Sequence, residues 1–192
     1  MIISLTGFMG CGKSSVGREL SQLLCCPFMD LDQVIEEREG RSIPEIFASE
    51  GEEVFRAMEL ETLKEIVGLP MYSRGYILAL GGGAVMTKEC AEIVHSDTLC
   101  IYLKASVETL MEHLSGQTDN RPLLSQKHSL NETSTRHCEE SEGRRGNLEL
   151  ETRIKELMAL RSDTYEKTAH IIIDTDGKSI EAVASEIISK LA

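Results

Sequence analysis

The sequence predicts a single α/β domain built on a parallel β-sheet with helices on both faces. Three observations lead there. Five short apolar runs, over 2–6, 27–30, 76–80, 99–103 and 170–173, have the length of buried strands. The stretches between them carry apolar residues at helical spacing. A glycine-rich turn joins the first run to the first helical stretch. Alternation of this kind gives parallel pairing, and strands covered on both faces read as near-continuous apolar runs.

With 192 residues and 41% hydrophobic content, the chain fills one domain, 1–192, and falls short of two. A net charge of -12 argues against nucleic acid and anionic membrane surfaces as partners. No apolar run approaches the length that crosses a bilayer, and the N-terminal residues lack the charged segment of a secretory signal. The six cysteines, Cys11, Cys25, Cys26, Cys90, Cys100 and Cys138, make no C-x-x-C pair and no zinc-ligand spacing. Cys25, Cys90 and Cys100 lie in apolar segments and are expected to be buried thiols. Reduced cysteines place the protein in the cytoplasm.

Element by element, Lys13 opens a helix with Val16, Leu20, Leu23 and Leu24 on one face. A helix follows over 33–39, and 43–67 is helical with a break near Glu50-Gly51. Thr87 is an N-cap for a helix to about 94, and 106–114 is helical. A further helix runs from 148 to about 165. The last helix carries Ile180, Val183, Ala184, Ile187, Ile188 and Leu191 as an apolar stripe. The segment 125–147 is polar, lacks an apolar period and exceeds an ordinary connection, so it is a lid or disordered.

Gly7-Phe8-Met9-Gly10-Cys11-Gly12-Lys13-Ser14 matches G-x-x-x-x-G-K-[ST] in the required place, after a strand and opening a helix. Glycines let successive N–H groups turn inward around phosphate oxygens, and the helix N-terminus adds positive potential. Lys13 is expected on the β- and γ-phosphates and the Ser14 hydroxyl on Mg²⁺. Cys11 is either a reactive thiol near a helix N-terminus or a small residue the loop tolerates. The loop fixes a nucleotide but leaves the reaction open. No N-K-x-D segment marks guanine specificity. Asp174-Thr175-Asp176-Gly177 reads as a turn, with a metal-binding Asp174 as the alternative.

Asp30 and Asp32 bracket the end of the second strand, and residues two apart in extended chain point the same way. One suits the water shell of Mg²⁺, the other the attacking hydroxyl; Asp32 also suits a helix N-cap. Gly81-Gly82-Gly83 ends the third strand, which implies a close backbone approach to a ligand or a flexible turn. Arg56 shares the inward stripe of Leu60, Leu63 and Val67, and Arg161 that of Leu150, Ile154, Leu157 and Met158. An inward guanidinium needs an anion. Glu52 and Glu59 offer Arg56 intrahelical partners. Arg161 has no acidic residue three or four positions away, so a ligand carboxylate held bidentately by both arginines is expected. Arg121, ahead of Pro122, lies at the hinge of the polar segment, where it can close over phosphates as a catalytic charge.

Together these blocks resemble the shikimate kinase family, in the nucleoside monophosphate kinase-like group of P-loop folds. The match runs through 7–17, Asp30-Leu31-Asp32, Gly40-Arg41-Ser42-Ile43 with Ile46-Phe47, Gly51-Glu52 with Phe55-Arg56-Glu59, Gly81-Gly82-Gly83-Ala84-Val85, Arg121-Pro122-Leu123-Leu124, and Arg161 with Tyr165. It implies a three-layer P-loop kinase fold with sheet order 2-3-1-4-5, a lid over about 115–147 containing the insertion 125–147, and a substrate-binding helical region over about 32–62. It implies ATP as co-substrate, held by Gly10, Cys11, Gly12, Lys13, Ser14, Ser15, Arg121 and Thr175, with Mg²⁺ at Ser14 and Asp30. It further implies shikimate held by Asp32, Arg56, Gly81, Gly82, Gly83 and Arg161, with Phe47 and Phe55 beside its ring. The catalytic residues become Lys13, Asp32 and Arg121, in a monomer. Two departures stand out. The family's arginine about seven residues before the lid arginine is Leu114 here, with His113 beside it, and the lid segment is longer. Other readings of the same residues are a kinase for gluconate or a nucleoside monophosphate, or a nucleotide-binding module that transfers nothing.

Overall fold

The structure, a computed structural model, describes residues 1–69, 75–114 and 139–191, and over 139–147 only the helical course of the backbone. Strands β1 (Ile2–Thr6), β2 (Phe28–Asp30), β3 (Tyr76–Ala79), β4 (Leu99–Lys104) and β5 (Ile171–Asp174) form one parallel sheet ordered β2-β3-β1-β4-β5. This is the order the resemblance implies. In the register, Ile3 lies between Ile77 of β3 and Leu99 of β4. Leu5, Ile77, Leu78 and Ile101 are fully buried, as both-face coverage requires.

The helices are α1 (Lys13–Leu23), α2 (Leu31–Glu39), α3 (Ile43–Gly68), α4 (Lys88–Asp97), α5 (Val107–Leu114), α6 (Glu139–Thr168) and α7 (Ile180–Leu191). The apolar stripes of α1 and α7 pack on one another, while α4 packs against both α3 and α6. No helix of the described residues is long and apolar enough to cross a membrane.

Several boundaries differ from expectation for identifiable reasons. Helix α2 begins at Leu31 because Asp30, not Asp32, is its N-cap, its side chain accepting from the Asp32 N–H. Asp32 therefore occupies the first helical turn. Helix α3 opens with a full capping box from Ser42 and Glu45. It is interrupted at Gly51, whose φ of 84° is the left-handed backbone that glycine accommodates without strain. Thr87 precedes α4 as expected, yet its side chain makes no capping bond. Helix α6 begins at Glu139, so part of the insertion expected over 125–147 is helical. The rest of the expected lid lies outside the described residues. Cys90 and Cys100 are buried, but Cys25 is exposed: it follows the end of α1 in left-handed conformation, with φ 49°.

Candidate active site

The C-terminal ends of β1, β2 and β3 open onto a cleft of about 1070 Å³. The phosphate loop, the start of α2, the second half of α3 and the glycine turn after β3 line it. Such crevices lie at the carboxyl edge of parallel sheets because the loops there diverge.

On the loop side, Gly10, Gly12, Lys13, Ser14 and Ser15 all line the cleft. Lys13 Nζ donates to the carbonyls of Gly7 and Phe8, each at 3.0 Å, which lays the ammonium across the loop. Ser14 Oγ donates to Asp30 Oδ2 at 2.6 Å, while Asp30 Oδ1 accepts from the Asp32 N–H at 3.2 Å. One carboxylate thus ties the loop to the start of α2. Cys11 is buried at 4% exposure, which favours the tolerated small residue over the reactive thiol.

Asp30 and Asp32 both face the cleft, brought together by the helix cap rather than by strand alternation. Burial pushes the Asp32 carboxyl up to about 6, and the Asp30 charge adds to the rise, while Lys13 and Arg56 oppose it. Arg56 also lines the cleft, with its intrahelical partners in place. Its Nη1 donates to Glu59 Oε2 at 2.7 Å and its Nη2 to Glu52 Oε1 at 3.1 Å. Glu59 is fully buried, and burial pushes its carboxyl up to about 7 against the opposing Arg56. Its Oε1 has no hydrogen-bond partner among the described residues. The sequence marked Glu59 only as an ion-pair partner for Arg56; the helical spacing of the two residues was the available signal.

The glycine turn approaches its protein neighbours closely. A Cβ at Gly82 would stand 3.1 Å from the Met9 N of the phosphate loop, and one at Gly83 2.5 Å from Arg56 Nη2. Behind this turn lies Arg161, 7% exposed and not in the cleft wall. Its Nη1 donates to the Gly82 carbonyl at 3.4 Å, and its guanidinium sits 5.9 Å from the Phe8 ring centroid. Among the described residues no carboxylate lies within ion-pair distance of it, in keeping with the sequence reading. The Tyr165 hydroxyl donates to the same Gly82 carbonyl. Phe55 lines the cleft and packs on Phe47 with ring centroids 4.9 Å apart, while Phe47 stays behind it.

Of the described candidates, Cys11, Phe47, Arg161 and Thr175 do not line the cleft, and Arg121 lies outside the described residues. Thr175 is buried, and both its N–H and its hydroxyl donate to the Lys104 carbonyl, at 2.9 and 3.0 Å. Its side chain is therefore occupied in joining the end of β5 to β4. That end of the cleft is lined instead by Lys178, Ser179, Ile180, Glu181 and His113, none of which composition or periodicity singled out as a ligand.

Sheet order and phosphate-loop position together define a P-loop kinase with a small-molecule cleft. The family profile described as shikimate kinase matches residues 9–192. A shikimate kinase of Thermus thermophilus is 39% identical over 189 residues, covering 98% of this chain and 89% of the relative. The solved shikimate kinase of Acinetobacter baumannii, in complex with shikimate, has a TM-score of 0.82 at 30% identity, covering 98% of this chain and 91% of that one. That of Bacteroides thetaiotaomicron has a TM-score of 0.79 at 26% identity, covering 100% and 98%. The chain belongs to the shikimate kinase family, and with it to the ATP-dependent kinases that act on an alcohol group.

Proposed function

We propose that the protein transfers the γ-phosphoryl group of ATP to the 3-hydroxyl of shikimate, giving ADP and shikimate 3-phosphate. The observation that carries the acceptor's chemistry is Arg161: a buried guanidinium with no carboxylate partner among the described residues. Leaving such a charge unpaired costs several kcal/mol, on the order of what a bound carboxylate would return. Arg161 and Arg56 flank the glycine turn, so an acid held there presents its hydroxyls toward Asp32.

In this reading the roles divide among the residues named above. Loop N–H groups of Gly10, Cys11, Gly12, Ser14 and Ser15 hold phosphate oxygens, and Lys13 exchanges its loop carbonyls for the β- and γ-phosphates. Asp32, ionised above about pH 6, accepts the hydrogen bond of the attacking hydroxyl and takes its proton as the new O–P bond forms and the bond to the ADP oxygen breaks. Gly81, Gly82 and Gly83 let backbone approach the acceptor ring, which rests against Phe55 with Phe47 behind. Arg121 closes from the lid over the transferring group.

Ser14 Oγ and Asp30 Oδ2, 2.6 Å apart, are hard oxygen donors that suit Mg²⁺, an ion that keeps several waters and takes its remaining ligands from phosphate. Bound there with ATP, Mg²⁺ would neutralise charge on the phosphates. ATP and shikimate are the partners of this reading, in a cytoplasmic monomer; the free thiols of the described residues suit a reducing compartment.

Coupled ADP release across a panel of hydroxy acids tests the proposal. ADP should form above background with shikimate and not with gluconate or a nucleoside monophosphate. Turnover of either of those, with none on shikimate, would overturn it.

A further inference from the structure

We propose that His113 is a positioning residue of the phosphate loop: it holds the Gly10 carbonyl outward and thereby keeps the Cys11 N–H turned toward the nucleotide's phosphates. The inference rests on the reading of the loop as the ATP site and assigns a determinant of its affinity that lies outside the strand–loop–helix unit.

His113 Nδ1 lies 2.8 Å from the Gly10 carbonyl oxygen, a contact between residues 103 positions apart. A carbonyl only accepts, so Nδ1 carries the proton and the tautomer is set. The Gly10–Cys11 peptide is trans and planar, so its C=O and N–H point in opposite directions. Anchoring the oxygen on α5 aims the Cys11 N–H to the other side. There it donates to the Phe8 carbonyl at 3.2 Å, the same oxygen that receives the Lys13 ammonium at 3.0 Å. The Cys11 N–H and the Lys13 ammonium thus converge on one side of the loop.

A second contact from the same turn of α5 acts on the same residue. Gly10 has φ +85°, and a Cβ there would lie 3.0 Å from Leu114 Cγ and Cδ2. Side chain and imidazole together clamp one peptide, with His113 at the cleft wall and Leu114 buried beneath it. Without the clamp, only the Cys11 N–H bond to the Phe8 carbonyl orients the peptide, and the donor is less firmly aimed when that bond is exchanged for a phosphate oxygen.

The test is calorimetric titration of the full chain with magnesium ATP and with magnesium tripolyphosphate, which has no base. Wild type is compared with His113→Ala, His113→Asn and His113→Gln. The Asn amide nitrogen takes the place of Nδ1, whereas that of Gln takes the place of Nε2. His113→Ala should weaken both ligands by one common factor of about fivefold to tenfold, the worth of one net hydrogen bond. His113→Asn should restore both to within about twofold and His113→Gln should not, with the KM for shikimate unchanged throughout. A loss confined to ATP would make His113 a base contact and overturn the proposal. So would an Asn variant no better than Ala. Wild type that binds neither ligand would instead defeat the phosphate-loop reading, and this inference with it.

Discussion

Asp32 Oδ1 and Glu59 Oε1 converge on the space beside Gly81: a Cβ built there would lie 2.6 Å from the first and 2.8 Å from the second. Two carboxylates from different helices therefore share a wall of the cleft with no side chain between them. Burial raises both, Asp32 to about 6 and Glu59 to about 7, and the Asp32 charge adds to the rise at Glu59. Glu59 holds Arg56 through its other oxygen, which in the proposed function leaves Asp32 for the acceptor hydroxyl.

The pH dependence of turnover follows from Asp32. Accepting a hydroxyl proton requires the ionised form, so kcat/KM for shikimate should be level above about pH 7 and fall about tenfold per unit well below pH 6. Asp32→Ala should nearly abolish turnover while leaving ATP affinity almost unchanged. A profile that stays flat to pH 5, or loss of ATP binding in the variant, would contradict the role.

Stability moves the opposite way with pH. The folded carboxyls of Asp32 and Glu59 hold protons more tightly than their ordinary values of 3.8 and 4.5. Their contribution is therefore fully present below about pH 4 and is lost as pH rises through about 6 to 7. Asp32→Asn removes one such group. It should leave the free protein more stable than wild type at pH 8 by about 1 kcal/mol, a figure reduced because Asp32 is only partly buried and reaches the cleft solvent. At pH 3, below the ordinary value of 3.8, the gain should vanish. Urea melts at the two pH values decide it, and a gain that persists undiminished at pH 3 would refute the linkage.

Gly81→Ala and Gly83→Ala should damage different things. The first drives a methyl into the two carboxylates and should lower kcat at least about tenfold, because the hydroxyl-orienting oxygen is displaced. The second meets the Arg56 guanidinium at 2.5 Å and should chiefly raise the KM for shikimate. Steady-state kinetics separate the two; equal effects on both parameters in both variants would not fit.

Arg161 makes a double prediction. Arg161→Lys should raise the KM for shikimate about tenfold with the KM for ATP unchanged, since an ammonium loses the bidentate contact. Arg161→Met should raise the melting temperature of the free protein, because a buried charge with no carboxylate partner among the described residues is replaced by an apolar chain of similar length. A lower melting temperature for Arg161→Met would show that its bond to the Gly82 carbonyl outweighs its burial.

Much of this was legible in the chain. The apolar runs marked the five strands, and the Gly7–Ser14 spacing placed the loop, because both signals are local. The inward arginines were legible from periodicity. What escaped reading depends on tertiary pairing. The cap that joins Asp30 to Ser14 and to the Asp32 N–H replaced the strand alternation expected of that pair. Thr175 was assigned to ATP through the resemblance, yet its hydroxyl is taken by a neighbouring strand, a demand that no local pattern displays. His113 reaches Gly10 across most of the chain, so its role emerges only when α5 is folded against the loop. The polar composition of 125–147 hid a helical start at Glu139, since the segment offers no apolar period from which to read a helix.

One measurement bears on the whole account: following the label from ATP carrying a radioactive γ-phosphate, in the presence and absence of shikimate. The account predicts that the label passes to shikimate as a single phosphate ester at the 3-oxygen, and that Asp32→Ala nearly stops this transfer while still binding ATP. Label released only as inorganic phosphate, at the same rate whether or not shikimate is present, would contradict it.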